Sequence, residues 1–138
     1  MRRTTLAQLG GWDERLGVGS VGPFGAAEDM DLHYRLLRAG GRALVTPAVR
    51  VWHEQWRPAA DLAPLYERYM AGWCGFAMKH LRTGDVAGGL WLLSIGVVDA
   101  LRMLASAGRR RSRLRLRVAL AKLRGLVVGT AAGSRRPW

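Results

Sequence analysis

The sequence has little of what builds disulfide scaffolds or membrane spans. Cys74 is its only cysteine, so no intrachain disulfide can form, and a reducing, cytoplasmic setting is favoured. The longest apolar stretch, residues 86–98, contains three glycines and a serine and is followed by Asp99. This composition disfavours a spanning helix of roughly 20 apolar residues. Residues 4–8 are too polar for the core of a signal peptide.

Acidic residues are also scarce, and none follows Asp99. The chain of 138 residues has 22 Lys and Arg against 10 Asp and Glu, a formal charge of +12. The segment from Arg109 to Arg136 carries much of this excess, whereas the part before it is close to balanced. With 49% hydrophobic residues, the chain is not compositionally disordered and is long enough for one domain with a core.

Apolar periodicity and turn residues predict an α/β part followed by an all-helical part. A glycine-rich loop, residues 12–25, separates a short first helix from a second one. Two β-branched runs around Pro47 predict short strands. Asp61, and Thr83 or Asp85, are the predicted caps of the helices that follow. The predicted helices cover residues 6–9, 28–39, 62–81, 86–107 and 113–126. The predicted strands cover residues 42–45 and 49–52. The α/β part spans residues 1–57 and the helical part residues 58–138.

Three carboxylates, Glu28, Asp29 and Asp31, stand where the glycine-rich loop meets the second helix. Carboxylates this close repel one another, which suits a general base or a divalent-cation site. The same residues would also complement the positive end of the helix dipole. His53 has two interpretations as well, because a histidine after an apolar strand can be a hydrogen-bonded structural residue or a metal ligand.

Four short motifs occur in an order that resembles the second half of family 2 glycosyltransferases. In that family, Gly-Gly-aromatic-Asp-Glu precedes Glu-Asp-x-Asp-Leu, then Arg-Leu with Ala-Gly, then a proline and a terminal histidine. The resemblance covers about residues 2–57 without a break. The motifs in this chain are Gly10-Gly11-Trp12-Asp13-Glu14, Glu28-Asp29-Met30-Asp31-Leu32, residues 35–41, and Pro47 to His53.

The resemblance implies a partial GT-A-like (Rossmann-like) fold and an inverting sugar transfer from a nucleotide-sugar donor to a saccharide or lipid-linked acceptor. Asp29 would deprotonate the acceptor hydroxyl, with Glu28 and Asp31 beside it as catalytic neighbours. A divalent cation, magnesium or manganese, would stabilise the departing diphosphate, with His53 among its ligands. Three residues are assigned to substrate binding: Trp12, Asp13 and Arg35.

The resemblance departs from the family pattern at the start of the chain. Members carry a nucleotide-binding first half that ends in an Asp-x-Asp motif, and the eleven residues before Trp12 cannot supply it. The chain is therefore expected to be a C-terminal portion, with a cation site that requires the first half for completion. Little or no transferase activity is expected from the 138 residues alone.

The basic C-terminal segment predicts an alternative function without catalysis. Leu116, Leu120, Leu123 and Val127 form one apolar stripe, and arginines occupy another face. Such a helix suits an anionic membrane surface or a partner protein, with residues 109–128 as the contact, and a peripheral place on the inner face of the plasma membrane. Packing on its own domain, with solvated arginines, is equally compatible. Nucleic acid is disfavoured, because no binding motif accompanies the arginines.

Overall fold

The chain is an assembly of five α-helices in a computed structural model that describes residues 2–52, 54 and 56–138. The helices are α1 (Arg3–Gln8), α2 (Glu28–Arg38), α3 (Leu62–Arg82), α4 (Val86–Arg109) and α5 (Arg113–Arg135). A short 3-10 turn, Ala59–Asp61, precedes α3. Helices α3, α4 and α5 pack against one another as a three-helix unit, and the N-terminal part lies against it.

The α/β prediction is wrong, because the described residues contain no strand. Both segments predicted as strands are irregular, and their large apolar side chains are 72–97% exposed: Leu44, Val45, Val49, Val51 and Trp52. Runs of four residues need neighbouring strands to become stable, and the described part of the chain offers none. A partial GT-A-like, Rossmann-like sheet is therefore absent from that part, and the assignment to a C-terminal portion of a family 2 glycosyltransferase is not supported.

The five predicted helices are present, and most of their bounds agree with the prediction. Asp85 caps α4 as expected, since its carboxylate accepts a hydrogen bond from the backbone of Gly88 at 3.1 Å. Asp61 precedes α3 without such a bond. Helix α5 continues to Arg135 rather than ending near residue 126, and its glycines face α3, where the absence of a side chain permits close approach.

The core joins the glycine-rich loop to α3. Phe24 is fully buried against Phe76 and packs on the ring of Trp138, with 5.6 Å between the ring centroids of Phe24 and Trp138. Close approach of the loop to α3 is possible because Gly72 has no side chain: a Cβ there would lie 2.5 Å from the carbonyl oxygen of Ala26. This contact places the start of α2 beside the middle of α3.

Candidate functional site

A buried ionic cluster connects α2 to α3 and consists of Asp13, Asp31, Arg35, Lys79 and His80. The Asp31 side chain is fully buried and faces three nitrogen atoms. Arg35 Nε lies 2.8 Å from it, Lys79 Nζ 2.9 Å and His80 Nε2 3.0 Å. Burial alone would raise the pKa of Asp31, but hydrogen bonds from His80 and Lys79 and the nearby positive charges outweigh it. The pKa therefore lies below its ordinary value, and Asp31 is held as a carboxylate.

The second carboxylate of the ionic cluster extends it to the N-terminal loop. Asp13 accepts hydrogen bonds from Arg15 Nε at 2.8 Å and forms an ion pair with Lys79 Nζ at 2.7 Å. Burial acts to raise its pKa, yet these two cations bring the pKa well below its usual range. Arg35 also donates to the backbone carbonyl oxygens of Leu9 and of Gly11. The cluster thus holds loop, α2 and α3 together.

The structure separates the three carboxylates that the sequence grouped as catalytic. Asp31 points into the ionic cluster, while Asp29 is exposed and Glu28 is partly buried. For Asp29 and Asp31 the separation follows from helix geometry, because positions two apart lie nearly opposite each other on a helix. The Glu28 carboxyl group lies against Gly17, where an added Cβ would be 2.6 Å from its Cδ atom. Of the three, Asp29 is the one in the exposed class, and its Oδ1 accepts a hydrogen bond from the backbone N–H of Met30 at 2.8 Å.

Two of the predicted substrate-binding residues belong to the ionic cluster. Asp13 and Arg35 are held there by the contacts described above. Trp12 is half exposed and, with both of them and Glu14, lines a shallow cavity of about 380 Å³. The structure therefore brings Trp12, Asp13 and Arg35 to one surface, and their role in substrate binding stays a prediction. His53, the predicted metal ligand, lies outside the described residues.

Asp29 lines a second cavity of about 380 Å³, the Asp29 cavity, between the start of α2 and α3. Its wall on α3 is formed by Tyr69 and Trp73, four positions apart and so on one face of the helix. Met30 and Val18 contribute apolar surface. Ala27 begins this arrangement with a left-handed backbone conformation, φ +81°, which turns the loop into α2. One exposed carboxylate is thus set against an aromatic wall.

Sequence reasoning missed Lys79 and His80, although a signal for them existed. The two stand side by side in an otherwise apolar stretch of α3, between Met78 and Leu81. Ionisable side chains on a buried helix face need partners. Two carboxylates, Asp13 and Asp31, occur within the motifs upstream and could have been matched with them.

The described residues do not assemble a metal site. Within them, no group of three or more His, Cys, Asp or Glu side chains is placed to hold a cation. Asp13 and Asp31 are already held by Lys and Arg side chains, which compete with a metal ion for their oxygen atoms. Magnesium or manganese therefore stays a prediction from the resemblance.

A scan against protein-family models, a search of curated proteins and a search of solved structures each found no match.

Proposed function

We propose that the chain provides the acceptor side of a sugar-transfer reaction in which Asp29 is the general base. The observation that carries the proposal is the position of Asp29, an exposed carboxylate lining a cavity with an aromatic wall. Tyr69 and Trp73 offer flat apolar surfaces against which the carbon-bound face of a sugar ring can pack, while polar groups fix its orientation. Neither the exposed carboxylate nor the aromatic wall depends on a β-sheet.

The chemistry assigned to Asp29 is proton transfer. Its carboxylate takes the proton of the acceptor hydroxyl as the hydroxyl oxygen forms a bond to the anomeric carbon of the donor sugar. The bond from that carbon to the diphosphate breaks on the opposite side, and the diphosphate leaves with the electron pair. Glu28 contributes by packing against Gly17 and so positions the loop. Asp31 contributes by joining α2 to α3.

Saccharide binding and transfer test the proposal separately. Met30 lines the Asp29 cavity, whereas Met78 is buried in contact distance of Gly133. In a chain labelled with [methyl-¹³C]methionine, methyl glucoside, mannoside or galactoside should shift the Met30 resonance and leave that of Met78 unchanged. The shift should be lost in Tyr69→Ala, which removes part of the aromatic wall.

Transfer is then followed by mass spectrometry of the acceptor after long incubation with nucleotide-sugar donors and magnesium or manganese. Asp29→Asn should lower the rate of sugar transfer about a hundredfold relative to the wild-type chain, which is the lower end of what a general base contributes. Asp61→Asn, an exposed acid without a cap hydrogen bond, is the matched control and should leave the rate unchanged. An unchanged rate in Asp29→Asn, or a Met30 resonance that no saccharide shifts, would contradict the proposal.

A second candidate function, peripheral docking on the inner face of the plasma membrane, is favoured by the outer surface of α4. Six apolar side chains on this surface are 43–59% exposed: Val86, Leu90, Trp91, Val97, Val98 and Leu101. We call them the α4 face. By length and composition alone α4 is long and apolar enough to cross a membrane, and 22% of its most apolar window is buried. Burial against protein therefore does not account for its apolar character.

Positive charge adjoins one end of the α4 face. Arg109, Arg110, Arg111 and Arg113 surround the turn into α5, and all four are exposed. On α5, Leu116, Leu120 and Val127, which belong to the predicted apolar stripe, are exposed. Apolar side chains can enter the interfacial region of a bilayer while arginines contact anionic headgroups, each contributing about 1 kcal/mol near the surface.

Flotation with lipid vesicles checks this candidate. The chain should float with phosphatidylcholine vesicles containing phosphatidylserine, and less with pure phosphatidylcholine or at high salt. Replacing Arg110 and Arg111 by glutamine should weaken binding about thirtyfold, and Leu101→Glu should weaken it further. Val45→Glu places the same charge at an exposed apolar site away from α4 and serves as control. Equal binding by Leu101→Glu and Val45→Glu would exclude the α4 face as the contact.

A further inference from the structure

A cavity of about 600 Å³ lies between α3, α4 and α5. It is distinct from the Asp29 cavity but shares two lining residues with it, Tyr69 and Trp73. We call it the inter-helix cavity. Tyr66 and Met70 extend its α3 wall, and Ile95 and Val98 supply apolar surface from α4. Its volume and mostly apolar lining are those of a small-molecule site.

Three ionisable side chains line one part of the inter-helix cavity. Lys122 Nζ lies 2.6 Å from Asp99 Oδ2 and 4.9 Å from the centre of the Tyr66 ring. The Asp99–Lys122 pair is therefore neutral as a unit. Arg102, also part of the lining, has no carboxylate within ion-pair distance among the described residues. The cavity thus combines an aromatic and aliphatic body with one uncompensated positive charge.

We propose that the inter-helix cavity binds an anionic amphiphile, a molecule such as a fatty acid or a lipid phosphate. The apolar chain would pack between the aromatic residues of α3 and the aliphatic residues of α4. The anionic head would pair with Arg102, whose guanidinium group can form two parallel hydrogen bonds to a carboxylate or a phosphate. A neutral or cationic head would leave that charge unmatched, so charge complementarity selects the ligand.

The two cavities are adjacent and share a wall. Because Tyr69 and Trp73 line both, a ligand in the inter-helix cavity lies next to the space in front of Asp29. The amphiphile is then a candidate for the acceptor class, and this identification alone rests on the proposed sugar transfer. Binding of the amphiphile does not require that Asp29 act as a base.

Methionine resonances distinguish the two cavities within one sample. Met70 lines the inter-helix cavity and Met30 lines the Asp29 cavity, while Met78 lines neither. Titration of the [methyl-¹³C]methionine-labelled chain with decyl phosphate or decanoate, below their micelle concentrations, should shift Met70. Decanol and decyltrimethylammonium carry the same chain with a neutral and a positive head. They should bind at least about fivefold more weakly, as expected for loss of one charge-assisted contact.

Two variants decide the outcome. Arg102→Gln should abolish the preference for the anionic heads while decanol still shifts Met70. Tyr66→Ala should weaken all four probes but leave the shift of Met30 by saccharides intact, since Tyr66 does not line the Asp29 cavity. Equal affinity for the four heads in the wild-type chain, or an unmoved Met70 resonance, would overturn the proposal. Asp29→Asn should not alter amphiphile binding, so failure of the sugar-transfer proposal is recognised separately.

Discussion

Replacing Asp31 by asparagine should lower the free energy of unfolding by about 3–5 kcal/mol, because it removes the negative charge around which a buried cluster is arranged. Arg35, Lys79 and His80 all lie within 3.0 Å of this carboxylate, whose side chain is fully buried. Asparagine keeps the shape but turns an amide group, in part a hydrogen-bond donor, toward side chains that are donors themselves. Asp13 can still neutralise Lys79, yet Arg35 loses its only carboxylate partner among the described residues.

Asp29→Asn is the matched control, since it makes the same chemical change two positions earlier on the same helix. Asp29 is exposed and no cation contacts it in the described structure, so its replacement should change the free energy of unfolding by less than about 0.5 kcal/mol. Both values come from urea unfolding followed by circular dichroism. If the two variants were equally stable, Asp31 would not be the anchor that the geometry indicates.

This contrast shows what the acidic motif could and could not reveal from sequence. The run Glu28-Asp29-Met30-Asp31 places three carboxylates close together in the sequence. On a helix, Asp29 and Asp31 then lie on different sides. The periodicity of α2 was predictable, but which side faces α3 was not. That depends on Lys79 and His80, some 50 positions later in the chain. A buried anion could therefore be assigned only after its partners were located in space.

The helices and the predicted strands differ in predictability for a similar reason. Helices form their hydrogen bonds within one segment, so apolar spacing and caps such as Asp85 are sufficient to indicate them. A strand needs a neighbour, and β-branched composition at 42–45 and 49–52 says nothing about whether one is present. The prediction ended α5 at residue 126, short of Gly129 and Gly133. In the structure they are contact residues inside the helix.

Gly129→Val should lower the free energy of unfolding by about 3 kcal/mol or more. A Cβ at Gly129 would lie 2.5 Å from the carbonyl oxygen of Ala71 and 2.6 Å from its Cα. Both are backbone atoms of α3, so no side chain can rotate to make room, and the two helices must separate. Separation would also widen the inter-helix cavity, which has walls from α3 and from Lys122 of α5.

Gly108→Ala replaces a helix glycine against which no other atoms pack. Nothing lies within 4 Å of a Cβ at Gly108, which is exposed near the end of α4. Alanine there should raise the free energy of unfolding by up to about 1 kcal/mol, because it favours the helix and restricts the unfolded chain. Thermal and urea unfolding of the two variants should thus move in opposite directions. A Gly129→Val chain as stable as the wild type would mean that α5 does not approach α3 this closely.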